Sequence, residues 1–156
     1  MIELVVVIVL MGILGAVATA RYFDSAGFDA STYTEQTRSM LRYAQKVAVA
    51  QHRNVYVVFT SKRIALCFTT VCAASDRVLA PAGSNSGGKT TVTECADPTW
   101  YCEGTPANLG YALQGGTPGN FSFDALGQPL SGMIVRITGD GLTRDITVSA
   151  ETGYVY

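Results

Sequence analysis

The sequence is poor in charge, and this shortage narrows what the chain can do. Charged residues make up only 15% of the 156 residues, and the formal net charge is −1 because Lys and Arg nearly balance Asp and Glu. Such a balance gives no long-range field that would steer nucleic acid or a strongly acidic substrate. The length suits one globular domain with an additional segment, and not two full domains.

Recognisable catalytic motifs are also missing. His52 is the single histidine, so any Ser-His-Asp arrangement would have to use it, and its place at a predicted helix-to-strand junction is typical of a solvated or core-edge residue. Neither a GxSxG motif nor a phosphate-binding glycine loop of recognised spacing occurs. We therefore expect a protein that is not an enzyme and that holds no cofactor and no metal.

Cysteine is absent from the first 66 residues, and four cysteines follow at Cys67, Cys72, Cys95 and Cys102. An even number of cysteines, all in the C-terminal part of a small protein, predicts two disulfides formed in an oxidising compartment. Three connectivities are possible, and the pairs Cys67–Cys72 and Cys95–Cys102 are favoured because each closes a short loop. Four buried free thiols are an alternative. A zinc site is less favoured, because the spacings between the four cysteines do not match the paired Cys-x-x-Cys ligands of zinc knuckles.

Charge is wholly absent from residues 4–20, which read LVVVIVLMGILGAVATA. As a helix this stretch is ~25 Å long, close to the hydrocarbon thickness of a bilayer, and Arg21 and Tyr22 are suitable interfacial anchors. A cleaved signal peptide is disfavoured by the missing basic n-region and by Glu3. A core helix is disfavoured by apolarity around the whole circumference. An ordinary single-span anchor remains open.

Glu3 and three small residues distinguish this stretch from a simple anchor. An acid beside a bilayer core is costly, and the helix macrodipole offsets part of that cost at an N-terminus. A subunit that leaves the membrane to join a helical bundle could use Glu3 as a pairing group. Gly12 and Ala16, with Gly15 nearby, would let helices approach closely, although glycine is also common in spanning helices.

The opening MIELVVVIVLMGILGAVA is similar to the N-terminus of type IV pilins and pseudopilins, whose mature chains begin F-T-L-I-E-L. Ile2, Glu3 and Leu4 match the I-E-L of that pattern, and Met1 stands where the family has Leu. The resemblance implies that Glu3 pairs with the N-terminal amine of a neighbouring subunit. The family's leader, first Phe and Thr do not precede Met1, which indicates a start placed too late, or a processed or engineered chain. Peptidase cleavage and N-methylation are therefore not carried over to the chain as written.

A polar stretch with Gly27 follows at residues 24–34 and predicts a loosened or kinked segment. Ser31 or Thr34 is then expected to cap a renewed helix that continues to His52. One face of this helix is apolar, and Arg38, Arg42 and Lys46 form a basic row that is typical of a solvated face. The apolar positions are Met40, Tyr43, Ala44, Val47 and Ala48. The family resemblance implies that this face packs on the sheet of the head.

Strand patterns dominate from residue 54 onward. Residues 54–60 and 63–69 predict a hairpin, and residues 73–119 look irregular. Further strands are expected at 121–123, 133–138, 145–149 and 153–156, with tight turns at 139–141 and 151–153. The prediction is an α+β fold: a transmembrane or filament-core helix at 1–22, a linker and amphipathic half-helix at 23–52, and a disulfide-containing β-rich head at 53–156.

Three segments narrow the resemblance to the GspH/FimT group: RYAQKVAVAQ at 42–51, FDALGQP at 123–129 and ITVSAETGYVY at 146–156. Within that group, FDASTY at 28–33 and RYAQKVAVAQ most resemble minor pilins of the MSHA type. This implies a minor pilin that helps to initiate assembly at or near a filament tip, first held in the bacterial inner membrane by one span with its head in the periplasm. Its partners would be other pilin subunits. The alternatives are minor pseudopilin H of a type II secretion system, or a tip module for adhesion or DNA. DNA is disfavoured, because Arg136 and Arg144 are matched by nearby acids.

Overall fold

The computed structural model describes residues 2–22, 25–115, 121–139 and 141–156, with the backbone alone described for residues 16–22 and 25–28. Two long helices precede a head built mainly of antiparallel strands, so the predicted α+β class is confirmed. The elements in chain order are α1 (Ile2–Tyr22), α2 (Ser25–Gln51), β1 (Val55–Thr60), β2 (Arg63–Cys67), a 3-10 turn (Ala74–Asp76), α3 (Lys89–Cys95), β3 (Cys102–Gly104), β4 (Leu109–Gln114), β5 (Phe121–Phe123), β6 (Met133–Gly139) and β7 (Leu142–Val148).

Helix α2 begins at Ser25, so the loosened segment predicted for residues 24–34 is wrong from Ser25 onward, and Asp24 lies outside the described residues. The buried positions Ala30, Tyr33, Thr34 and Thr37 continue the helical spacing toward the N-terminus. The hydroxyl of Thr34 does not cap the helix, because it donates to the carbonyl of Ala30 at 2.7 Å inside it. Packing against the head therefore supports a helical stretch whose own composition is polar.

The rest of α2 follows the predicted apolar face. Met40, Ala44 and Ala48 are fully buried, Val47 is buried, and Tyr43 packs against them at the edge of the core. The basic row is exposed at Arg42 and Lys46, while Arg38 is half-buried and pairs with Glu35.

The described strands form two antiparallel sheets, one in the order β3-β2-β1-β5 and one in the order β4-β6-β7. Strands β1 and β2 form the predicted hairpin, with Thr60 opposite Arg63, and β6 and β7 form another, with Gly139 opposite Leu142. Asp140, in the second predicted turn, lies outside the described residues. The two sheets share one core with α2, which packs on β1 of the first and on β6 and β7 of the second.

The prediction of an irregular stretch at 73–119 is wrong for the part of it that the structure describes, since α3, β3 and β4 lie there. Residues 116–119 are not described. Strand β3 has only three residues, and β4 alternates partly buried residues with small or polar exposed ones, so neither has the run of β-branched residues that marks β1 and β6. The strand predicted at 153–156 is reduced to one bridge between Val155 and Val148.

Among the described residues, no helix is at once long enough and apolar enough to cross a membrane.

Candidate assembly surface

Helix α1 presents an apolar surface that no described part of the chain covers. All side chains from residue 2 to residue 15 are exposed, and the large apolar ones range from 47% exposed at Val7 to 82% at Ile2. Contiguous apolar surface of this kind marks a site of interaction with another molecule. The helix is therefore a candidate assembly surface.

Glu3 lies at one end of this surface, in the first turn of α1. It is the one charged residue between positions 2 and 20 of the sequence, and it stands where the partial positive charge of a helix N-terminus favours a carboxylate. Its side chain is exposed and free to meet a group on another chain. The pairing role predicted for Glu3 stays a prediction.

The small residues lie further along the same helix. A Cβ atom built on Gly12 or on Gly15 would meet no other atom within 4 Å, so the surface there is open to a neighbouring helix. Ala16 belongs to α1, but its side chain lies outside the described residues. Gly12 lies nine positions after Glu3, which is roughly 13 Å along a helix axis. The structure therefore keeps Glu3 and the small residues apart, as separate features of one rod.

Two loops clasp α2 to the head. The guanidinium of Arg42 donates to the carbonyl of Val155 at 3.0 and 3.2 Å. The amide of Gln45 donates to the carbonyls of Gly127 at 2.9 Å and Thr152 at 3.0 Å. These loops belong to residues 123–129 and 146–156, two of the segments that narrowed the sequence resemblance. Their function in this chain is to hold the helix on the head.

Glycine is required in both of these loops. Gly127 has φ +79°, and a Cβ there would come within 2.9 Å of the side chain of Val49 on α2. Gly153 has φ +67°, and a Cβ there would overlap the carbonyl of Gly127. Both positions combine a left-handed backbone with close approach, so a side chain at either would push the loops away from α2.

The disulfides build a second, smaller core on the far side of β2. They join Cys67 to Cys72 and Cys95 to Cys102, which is the pairing favoured by the short loops. Trp100 is buried between them, and its indole N–H donates to the carbonyl of Leu66 at 2.9 Å. The guanidinium groups of Arg77 and Arg63 lie 4.4 and 5.1 Å from the centre of its ring.

A buried carboxylate fastens the segment before α3, and the sequence did not point to it. Glu103 is only 3% exposed. It accepts hydrogen bonds from the backbone N–H of Ser86 at 2.9 Å, from the hydroxyl of Thr91 at 2.9 Å, and from the hydroxyl of Ser86. A buried carboxylate must be hydrogen-bonded in this way. The glycine-rich stretch at 83–88 is thus tied to β3.

The same region anchors the N-terminal half of α2. The hydroxyls of Tyr33 and Thr105 lie 2.9 Å apart. Burial raises the pKa of Tyr33 to about 12, and the nearby charge of Glu103 acts in the same direction. Tyr33 therefore stays a neutral hydrogen-bonding group at physiological pH.

The solvent-facing side of the β4-β6-β7 sheet holds an ion pair. The guanidinium of Arg136 donates to both carboxylate oxygens of Asp145, at 2.8 and 2.7 Å. Hydrogen bonding to Arg136 holds the pKa of Asp145 below its usual value, and the same bond raises the pKa of Arg136. One of the two arginines considered for DNA contact is thus already engaged by an acid.

No group of three or more His, Cys, Asp or Glu side chains within the described ranges is placed to hold a metal ion. His52 is exposed just after the end of α2, with φ 48°.

No protein-family model matches this sequence, and no curated protein is similar to it by sequence. Solved structures match it in shape. The minor pseudopilin EpsH from the type 2 secretion system of Vibrio cholerae aligns with a TM-score of 0.57 and 12% identity, over 82% of this chain and 94% of that one. The type IV minor pilin FimU of Pseudomonas aeruginosa aligns with a TM-score of 0.53 and 20% identity, over 81% of this chain and 90% of that one. FimU in a second crystal form gives the same TM-score and identity, with coverages of 85% and 87%.

These identities are low, so the comparisons concern the fold. The chain has a type IV pilin-like fold, the fold of a minor pseudopilin and of a minor pilin. The resemblance seen in the sequence is confirmed at that level.

Proposed function

We propose that this chain is a minor subunit of a filament of the type IV pilus class, in which α1 packs beside the N-terminal helices of other subunits. The observation that carries the proposal is the uncovered apolar surface of α1 on a pilin-like fold. The part of that surface that would pass from water into contact with sister helices would contribute ~25 cal/mol for each Å² buried, and the part that leaves lipid would gain close helix packing instead. Glu3 would set the register by pairing with a positive group of a neighbour.

More narrowly, the subunit is a minor pilin of an MSHA-type pilus that starts assembly at or near the tip. Residues 28–33 and 42–51 support this assignment, because they carry the sequence resemblance to the MSHA type. Before assembly, the uncharged residues 4–20 would hold the chain in the inner membrane with its head in the periplasm. Two disulfides suit that oxidising compartment.

A minor pseudopilin of a type II secretion system is the second candidate, and the shape similarity to EpsH favours it. The two candidates differ in what a cell without this chain loses. Loss of surface pili with normal secretion would support the pilus, and loss of secretion with normal pili would support the pseudopilus. DNA binding is disfavoured, because Arg136 is engaged by Asp145.

The test of the filament role is replacement of Glu3 by Ala or Gln in cells that make the filament. We expect the share of this chain recovered in sheared filaments to fall by about tenfold or more, which corresponds to ~1.4 kcal/mol of lost pairing. The matched control is Glu35→Gln, which removes an exposed acid of α2 and should leave incorporation unchanged. If Glu3→Ala enters filaments as well as the native chain does, the pairing role of Glu3 is wrong; if the native chain itself is absent from sheared filaments, the head is a tethered domain and the filament role is wrong.

A further inference from the structure

The sheets of the head end in four outer strands, and two of these, β5 and β3, are covered by other parts of the chain. The backbone N–H of Leu130 donates to the carbonyl of Ser122 on β5 at 3.3 Å. On β3, the N–H of Gly104 donates to the hydroxyl of Thr91 at 3.0 Å, and its carbonyl accepts from the hydroxyl of Thr90 at 3.3 Å. Neither strand offers an open edge over these residues.

The outer edge of β7 is covered in part and charged elsewhere. Thr147 and Tyr156 exchange both of their backbone hydrogen bonds, at 2.9 and 3.0 Å. Beyond this covered part, β7 carries Arg144 and Asp145. Charged residues on an edge discourage pairing with another strand.

Strand β4 differs from the other three. The backbone N–H and C=O of Thr147 on β7 point away from β6. Backbone groups of successive residues in an antiparallel strand point to opposite sides, so those of its partner Ile134, and of Arg136 and Thr138, point from β6 toward β4. Their partners on β4 are Gln114, Ala112 and Gly110, which leaves the backbone groups of Tyr111 and Leu113 pointing outward. Within the described ranges, no backbone group is bonded to the outward side of these two residues.

The composition of β4 also leaves it open. Its sequence LGYALQ contains neither a charged residue nor a proline, and these are the usual protections of an edge strand. The exposed residues Gly110 and Ala112 are small, so they do not shield the edge. The nearest cation on the next strand, Arg136, is neutralised by Asp145.

We propose that β4 accepts an extended, uncharged segment of another protein chain as an added strand. The N–H and C=O groups of Tyr111 and Leu113 alternate at strand spacing, and the ligand that matches this pattern is an extended polypeptide backbone. The lack of charge on β4 selects an uncharged segment. In one respect the inference rests on the proposed function, because it assigns that segment to a neighbouring subunit of the filament.

Amide hydrogen exchange of the full chain tests the added strand, measured in detergent and in sheared filaments. We expect the amides of Tyr111 and Leu113 to exchange at least about tenfold more slowly in filaments, since hydrogen bonding protects amides. The amides of Ala112 and Gln114 are internal controls, because they are directed toward β6 in both states. Incorporation with unchanged exchange at Tyr111 and Leu113 would overturn the added strand alone, while absence from filaments would overturn the proposed function with it.

A pair of lysine variants gives a second readout. Ala112→Lys places a charge on the open edge, and Thr138→Lys places one on the same solvent-facing side of the central strand β6. We expect Ala112→Lys to remove the protection of Tyr111 and Leu113 in filaments, and Thr138→Lys to retain it. If the purified native chain is a dimer that Ala112→Lys dissociates, β4 pairs with a second copy of itself, and the assignment to a different chain is wrong.

Discussion

Two exposed acids of the head have their carboxylates stabilised by specific partners. Hydrogen bonds from the hydroxyl and backbone N–H of Thr99, with a smaller contribution from Arg77, lower the pKa of Asp97 below its usual 3.8. Arg136 lowers the pKa of Asp145 in the same way. Because each folded-state pKa is below the unfolded one, the stabilisation is complete above about pH 3.8 and is lost as the pH falls through the folded value.

We therefore expect the free energy of unfolding of Asp97→Asn to depend less on pH, in the acid range, than that of the native chain. The variant should be less stable than the native chain near pH 6, and the difference should shrink as the pH falls toward 2 and the native carboxylate takes up its proton. Thermal unfolding at a series of pH values measures this. The control is Glu151→Gln, at an exposed turn position. Its stability should change between pH 6 and pH 2 by nearly the same amount as that of the native chain. Parallel curves for Asp97→Asn and the native chain would contradict the prediction.

For single residues, the sequence predicted contacts between near neighbours in the chain and did not predict contacts between distant ones. Four cysteines in two closely spaced pairs indicated the bonds that the structure contains. Glu103 gave no comparable sign, because its hydrogen-bond donors come from Ser86 and Thr91, far away in sequence. A carboxylate between a cysteine and a glycine has no pattern that predicts burial.

Helix α2 shows how packing overrides composition at the scale of an element. Residues 25–34 contain Gly27 and several Ser and Thr residues, so a helix break was predicted there. The structure buries Ala30, Tyr33 and Thr34 at helical spacing. Alanine and threonine are weak markers of a core, and the helical period is therefore hidden in a polar stretch. The period was visible from Met40 onward, where larger apolar residues occupy the same face.

The buried face of α2 includes a hydroxyl that bonds to none of the residues described by the structure. Thr37 is 1% exposed, and within those residues its Oγ1 has no hydrogen-bond partner. Since an unpaired buried hydroxyl costs about 1–3 kcal/mol, we expect Thr37→Val to raise the free energy of unfolding by roughly 1 kcal/mol. Chemical denaturation with urea measures the change.

Thr34→Val is the matched comparison for this prediction. Thr34 is equally buried on the same helix, but its hydroxyl donates to the carbonyl of Ala30. We expect a smaller gain or none, because this substitution removes a hydrogen bond that is made. Equal gains for both variants, or a loss of stability for Thr37→Val, would contradict the assignment of an unpaired hydroxyl.

Strands were predicted well where β-branched and aromatic residues are frequent, as in β1, β2 and β6. The strands that were missed lack this feature. All three residues of β3 are buried, and its position follows from a disulfide and from Glu103. Strand β4 places Tyr111 and Leu113 only partly in the core, and its small alternate residues resemble a loop composition.

At the scale of the whole molecule, the proposed function places assembly and folding on different surfaces. The apolar residues at the beginning of α1 are exposed, while the core of the head is formed by α2 and the two sheets. The apolar character and Glu3 of α1 were evident from the sequence. The way in which α2 and its two clasping loops join the head was not, because those contacts link residues more than eighty positions apart.

This division predicts that a charge on α1 affects assembly alone. Ile8 is 61% exposed, so Ile8→Lys should change the stability of the head by less than about 0.5 kcal/mol. The same variant should be nearly absent from filaments, because a buried lysine on a helix-packing surface is costly. Thermal unfolding in detergent and recovery in sheared filaments measure the two effects.

Val71→Lys is the control for that variant, since Val71 is an exposed valine of the head. It should enter filaments normally. Loss of head stability in Ile8→Lys, or normal incorporation of it, would show that the two surfaces are not independent.

The sulfur bridges have a consequence for how the chain matures. Their partners are five and seven positions apart, and every other pairing of the four cysteines spans a longer loop. Closing a flexible loop costs more entropy as it lengthens, so nearest neighbours should meet first. We expect oxidation alone to produce the native pairs, without an enzyme that shuffles wrong ones.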